Sequence, residues 1–136
     1  NAALTKAGPN IDAILASNDG TAGGAIQALT EEGLQGKVLV TGQDADLAGC
    51  QRIVNGTQTM TVYKPITQLA TKAAEIAVKL AQRKPIVARA AVDNGKIPVP
   101  SVLLDIVAVT KDNMRETVVK DGFRKETEVY QGTSKP

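Results

Sequence analysis

Short apolar runs alternate with helical patterns in the first half of the chain. Three runs, at positions 10–16, 37–41 and 57–63, are typical of β-strands. Between them, apolar residues recur every three or four positions, as on one face of a helix, and these stripes contain Ala22, Ala25, Ile26 and Leu29, then Leu47, Cys50, Ile53 and Val54. Because strands joined by single helices pair in parallel through crossover connections, the pattern predicts an α/β fold with a parallel sheet flanked by helices.

A longer helix and a last strand are predicted in the second half. Pro65 is typical of a first helical turn, and the apolar stripe that follows it contains Ile66, Leu69, Ala73, Ile76, Ala77 and Leu80. Residues 84–100 are rich in proline and include Asn94-Gly95, which favours loops. We expect a long strand at 102–109, a short helix at 112–120 and a polar tail after it.

Length and charge limit the classes of protein to consider. A chain of 136 residues with 43% apolar composition can form the core of one compact domain. The net charge is +2 and the basic residues are scattered, so no nucleic-acid partner is expected. No apolar run approaches the roughly 20 residues that span a membrane, and no leader sequence opens the chain. Residues 1–4 have the pattern of a helix end, and we expect sequence upstream of them.

The residue types also argue against common catalytic and metal sites. The chain has no histidine and a single cysteine, Cys50, which lies in an apolar helical stripe and is expected to be a small buried hydrophobe. The glycine-rich residues 20–24 lack the spacing of a phosphate-binding or dinucleotide-binding loop. We therefore expect no cofactor, no metal and no catalytic residue.

Polar side chains follow each of the three predicted strands of the first half. They are Asn18, Asp44 and Lys64. In a parallel α/β sheet, ligands bind beyond the carboxyl ends of the strands. An amide, a carboxylate and an ammonium group together offer donors and acceptors, which suits a neutral polyhydroxylated ligand. The three residues are therefore candidate ligand contacts.

Each candidate also has a purely structural interpretation. Asn18 could belong to a turn and helix cap, because asparagine is common at both positions. Asp44 could cap the helix that begins near Asp46, and Lys64 could be solvated. Spacing alone leaves these alternatives open.

Three long motifs, in order along the chain, resemble those of a known family. They are ASNDGTAGGAIQAL at 16–29, GQDADLAG at 42–49 and GTQTMTVYKP at 56–65, and VVKDGF at 118–123 is similar as well. These stretches resemble the bacterial D-xylose-binding proteins of the type I periplasmic sugar-binding family. The resemblance covers nearly the whole chain and corresponds to the carboxyl-terminal portion of such a protein.

The resemblance implies a receptor that closes two α/β lobes around one pentose outside the cytoplasm and presents it to an ABC-type permease. It implies that Asn18, Asp44 and Lys64 contact the sugar. It further assigns 1–64 to the carboxyl-terminal lobe, 65–103 to an excursion into an amino-terminal lobe missing here, and 104–136 to the returning chain and tail. The apolar stripe of the excursion helix then lacks its partner, so self-association is expected.

Two other functions share parts of the pattern. The effector-binding domain of a LacI-type transcription regulator has the same fold and could carry the same polar residues at its strand ends. An α/β hydrolase or nucleotide-binding enzyme would need a nucleophile-base pair or a phosphate loop, which the sequence lacks. The motifs favour the transport receptor.

Overall fold

The chain divides into two compact units. The computed structural model describes residues 2–7 and 10–132. The first unit contains the chain up to Tyr63 and again from Val107, and the second contains Lys64–Ile106. The polypeptide thus leaves the first unit once and returns to it. That the segment 65–103 belongs to another lobe stays a prediction.

The first unit alternates helices and short strands as predicted. Along the chain its elements are α1 (Ala2–Ala7), β1 (Ala13–Ile14), α2 (Asp19–Glu31), β2 (Leu39–Val40), α3 (Leu47–Val54), β3 (Thr61–Tyr63), and, after the excursion, β6 (Val107–Val109), a π-helix (Arg115–Val119) and α5 (Glu126–Val129). Strands β1 and β2 pair in parallel, and Gln43 forms a parallel bridge with Val62 of β3. The first three strands therefore follow the predicted crossover pattern.

The last strand departs from that pattern, because β6 pairs with β3 in antiparallel orientation. The prediction of parallel strands came from the helices that each join two successive strands of the first half. The whole segment Lys64–Ile106 lies between β3 and β6, so the crossover rule sets no direction for β6. The strand is also shorter than the predicted 102–109.

Two apolar clusters form the core of the first unit. One lies between α2 and the β1–β2 pair and contains Ala22, Ile26, Leu29, Val38 and Val40. The other contains Ala45, Cys50, Ile53, Val54, Tyr63, Val109, Met114, Val118 and Val129. Both helical stripes of the first half are thereby confirmed as buried faces. Burial, with smaller contributions from Asp19 and Asp46, raises the pKa of the Cys50 thiol to about 11, as expected of a core cysteine.

The second unit consists of α4 (Ile66–Ala81) and a hairpin of β4 (Ala90–Asp93) and β5 (Pro98–Ser101). The helix follows the prediction, but the hairpin corrects the expectation of a loop at 84–100. Its turn is Asn94-Gly95, where Gly95 has a φ of 83° and the Asn94 side chain accepts from the N–H groups of Lys96 and Ile97. This turn chemistry is a hairpin signal when extended segments flank it.

Helix α4 exposes its apolar stripe. None of its residues is buried, and Ile66, Leu69, Val78 and Leu80 are exposed large hydrophobic side chains. In the part of the chain that the structure describes, no helix is long and apolar enough to cross a membrane.

Candidate ligand-binding site at the strand ends

Asn18 caps helix α2. Its Oδ1 accepts hydrogen bonds from the backbone N–H and the hydroxyl of Thr21, at 2.8 and 2.9 Å. The Asn18 N–H in turn donates to the Thr21 hydroxyl, with 3.3 Å between N and Oγ1, and this bond completes a capping box. The capping role considered from the sequence is therefore confirmed. Because the cap uses only Oδ1, it fixes the side chain and is compatible with donation from the amide Nδ2 to a ligand.

Asp44 lies in a loop with an unusual backbone. Asp44 and the next residue, Ala45, both have positive φ, at 95° and 51°. Residues other than glycine adopt this conformation at a cost of about 1–3 kcal/mol each, and they keep it only where their surroundings fix it. The alternative that Asp44 caps α3 is wrong, since the residue at that position is Asp46, whose side chain makes no capping hydrogen bond.

Asn18 and Asp44 lie at the same edge of the parallel strand pair. Asn18 follows the carboxyl end of β1 and Asp44 follows that of β2. The backbones beside them are joined directly, because the N–H of Asp19 donates to the carbonyl of Gln43 at 2.9 Å. Lys64 follows β3 directly and is the first residue of the second unit, so its approach to the other two stays a prediction.

An open depression of about 600 Å³ lies at this edge of the first unit. Its walls come from the segments that follow β1 and β2 and from β3, and they contain Leu15, Ala16, Ser17, Thr41, Gly42, Gln43, Met60 and Val62. Asn18, Asp44 and Lys64 are not among the residues that line this depression, although Ser17 and Gln43 precede Asn18 and Asp44 directly.

The sequence did not reveal Asp19, which is the central buried polar residue of this region. Its side chain is 1% exposed. The carboxylate accepts three hydrogen bonds, from the Asp46 N–H (2.8 Å), the Gln58 amide (2.7 Å) and the Thr61 hydroxyl (3.0 Å). No local sequence signal marks it, because the glycines that make room for its carboxylate are distant along the chain.

Those glycines are Gly42 and Gly49. A Cβ atom on either one would overlap the Asp19 carboxylate. The site therefore requires a buried aspartate at the start of α2 together with two residues that have no side chain, one after β2 and one in α3.

Arg52 of α3 completes the network around Asp19. Its guanidinium donates to the Asp19 carbonyl at 2.6 Å and to the Gln58 side chain at 3.0 Å. Among the residues that the structure describes, no buried side-chain nitrogen or oxygen lacks a hydrogen-bond partner. A fully satisfied network of this kind rigidifies its surroundings. The strand-end loops are therefore preorganised by the fold.

No group of three acidic, cysteine or histidine side chains within 2–7 and 10–132 is arranged to hold a metal ion. The strand ends place the Asn18 amide and the Asp44 carboxylate at one edge of the parallel strand pair of an α/β scaffold. Residues 1–85 match the family model described as periplasmic binding protein domain. The chain belongs to this periplasmic binding protein family.

The relatives of the chain include sugar-binding periplasmic proteins. It is 61% identical to the D-xylose-binding periplasmic protein of Haemophilus influenzae and 59% identical to that of Escherichia coli, over 94% and 93% of its length. A solved carbohydrate transporter solute-binding protein from Chloroflexus aurantiacus, in complex with D-glucose, superposes with a TM-score of 0.85 at 36% identity and covers 93% of this chain. The comparisons give no support to the LacI-type alternative.

The relatives are considerably longer than this chain. The chain spans 39% and 38% of the two curated relatives and 38% of the solved structure. The ligand and the partners of this chain are therefore proposals.

Proposed function

We propose that this chain is the carboxyl-terminal portion of a receptor for D-xylose or a closely related pentose. The observation that carries the proposal is the 61% identity, over 94% of the chain, to the Haemophilus influenzae D-xylose-binding periplasmic protein. The placement of Asn18 and Asp44 at one strand edge supports it, because ligands of open α/β sheets bind there. The receptor works outside the cytoplasm and delivers its sugar to an ABC-type permease.

In the proposed site each candidate residue has one chemical task. The Asp44 carboxylate accepts hydrogen bonds from two sugar hydroxyls, and Asn18 donates from the amide Nδ2 that its capping bond leaves oriented. Lys64 donates to a further hydroxyl after the second lobe closes. Charged partners make stronger hydrogen bonds than neutral ones, so Asp44 and Lys64 each contribute more than Asn18, and Asp44 is the principal acceptor. The protein binds the sugar without chemical turnover.

Calorimetric titration of the complete receptor with D-xylose tests this function. We expect Asp44→Ala to weaken binding by about 2–4 kcal/mol, or roughly 30- to 900-fold, because sugar hydroxyls lose a charged acceptor inside a desolvated cleft. Asp112→Ala is the matched control, since Asp112 is an exposed aspartate in the turn that follows β6. Equal affinities for wild type and Asp44→Ala would remove Asp44 from the site. Conversion of the sugar by the wild-type protein would contradict a pure binding function.

A further inference from the structure

The loop 43–46 contains the proposed sugar contact Asp44, and its backbone has an energetically unfavourable conformation. Two consecutive residues, Asp44 and Ala45, have positive φ without being glycine. Such a backbone persists only where surrounding contacts determine it. The contacts that hold this loop therefore also decide where the Asp44 carboxylate lies.

Three successive N–H groups of the loop donate hydrogen bonds to strand β3 and to Asp19. The N–H of Asp44 donates to the carbonyl of Val62 at 2.8 Å. The N–H of Ala45 donates to the hydroxyl of Thr61 at 3.1 Å. The N–H of Asp46 donates to Asp19 Oδ2 at 2.8 Å. Strand β3 and the first residue of α2 thus fix the loop at each residue from 44 to 46.

Asp19 connects these separate bonds. Its Oδ2 also accepts from the Thr61 hydroxyl at 3.0 Å, which orients that hydroxyl so that a lone pair faces the Ala45 N–H. Its Oδ1 accepts from Gln58, and its backbone N–H donates to the carbonyl of Gln43 at the start of the loop. The carboxylate works here as an acceptor only. An asparagine here would replace one acceptor oxygen by an NH₂ group, which would then face a neighbouring donor instead of accepting from it.

We propose that Asp19, acting through Thr61, is a positioning residue that holds Asp44 in its sugar-binding orientation. Asp19 is 1% exposed beneath the strand ends, and every hydrogen bond of its carboxylate goes to the protein. It therefore acts on the ligand through the loop. This inference rests on the function proposed above, in which Asp44 is the principal acceptor for the sugar.

The test uses two variants of the complete receptor, Asp19→Asn and Thr61→Val, each of which keeps the size of the side chain. D-xylose affinity is measured by calorimetry, well below the melting temperature of every variant. We expect both variants to bind at least about tenfold more weakly, because the loop loses the acceptors that fix it. Thr61→Ser keeps the hydroxyl and is expected to bind within about twofold of wild type. Should Asp19→Asn fail to fold, Thr61→Val alone decides.

Hydrogen exchange without ligand separates positioning from general destabilisation. We expect the amides of residues 44–46 to exchange faster in Thr61→Val, while those of α3 keep their protection. Val38→Ala is the control, because Val38 is buried in the core cluster between α2 and the β1–β2 pair, which contains no residue of this loop. It should lower the melting temperature without changing the affinity for the sugar.

The outcomes distinguish the inference from the function on which it rests. Wild-type affinity in Thr61→Val, together with a large loss in Asp44→Ala, would overturn the positioning role and leave the sugar site intact. Equal weakening of binding by Val38→Ala and Thr61→Val would also overturn it. Wild-type affinity in Asp44→Ala would reject the proposed site itself.

Discussion

At the residue scale, the sequence identifies single polar residues that follow a strand, but it does not identify residues whose role depends on distant neighbours. Asn18 and Asp44 are candidates because each lies within three residues of the end of a strand-like run, and their contact with a ligand stays a prediction. Asp19 was missed because its role depends on Gly42 and Gly49, which are 23 and 30 positions away along the chain. No local pattern links a carboxylate to distant glycines that make room for it.

Asn18 combines a helix cap with a proposed ligand contact, and one substitution separates the two. Asn18→Asp keeps an oxygen that caps α2 and adds a negative charge near the helix amino terminus, so we expect the melting temperature to stay within about 2 °C of wild type. The variant lacks the amide donor, so we expect D-xylose to bind at least about tenfold more weakly. Denaturation and calorimetry on the complete receptor measure both effects. Unchanged affinity would mean that Asn18 is a cap alone.

At the element scale, periodicity identified the helices better than the strands. The predicted stripes of α2, α3 and α4 correspond to observed helices, because the spacing of apolar residues is a local property. Strand direction is not local, and β6 runs antiparallel to β3 after a connection of 43 residues, Lys64–Ile106. The hairpin β4–β5 was missed because its prolines suggested a loop, although Pro98 and Pro100 lie on a strand with only one partner.

The contact between α2 and α3 depends on Gly49. We expect Gly49→Ala to destabilise the receptor by about 1–3 kcal/mol, because the added methyl group overlaps the buried Asp19 carboxylate. Gly24→Ala is the matched control, since a Cβ at Gly24 meets nothing within 4 Å, and alanine there should stabilise α2 by up to about 1 kcal/mol. Denaturant titration measures both changes. Equal stability of the two variants would contradict the close packing at Gly49.

At the scale of the whole molecule, the family followed from three motifs and the α/β class from the alternation of strand-like and helical patterns. The arrangement of a complete site could not be predicted from either. The chain covers 39% of the length of its Haemophilus influenzae relative. If the proposed receptor closes two lobes around its sugar, the contacts from the opposing lobe lie outside this sequence and could not be predicted from it. The sequence contains only three aromatic residues. One of them, Tyr63, is buried and packs against another, Phe123, with ring centroids 5.0 Å apart.

The 136-residue chain alone should bind D-xylose no better than millimolar, about −4 kcal/mol. Each hydrogen bond in a half-solvated site contributes about 1 kcal/mol, and three of them scarcely offset the roughly 4 kcal/mol or more of association entropy. The exposed stripe of α4 also predicts self-association of the isolated chain, so sedimentation must accompany the calorimetry. Micromolar one-to-one binding by a monomer would contradict the two-lobe argument.

The most direct test of the account is a crystal structure of the complete receptor with D-xylose bound. The account predicts that Asp44, Asn18 and Lys64 each place a side-chain nitrogen or oxygen within about 3 Å of a sugar hydroxyl, at the carboxyl ends of β1, β2 and β3. It also predicts that the Asp19 carboxylate keeps its bonds to Asp46, Gln58 and Thr61 and does not touch the sugar. A sugar bound away from Asp44 would contradict the central claim.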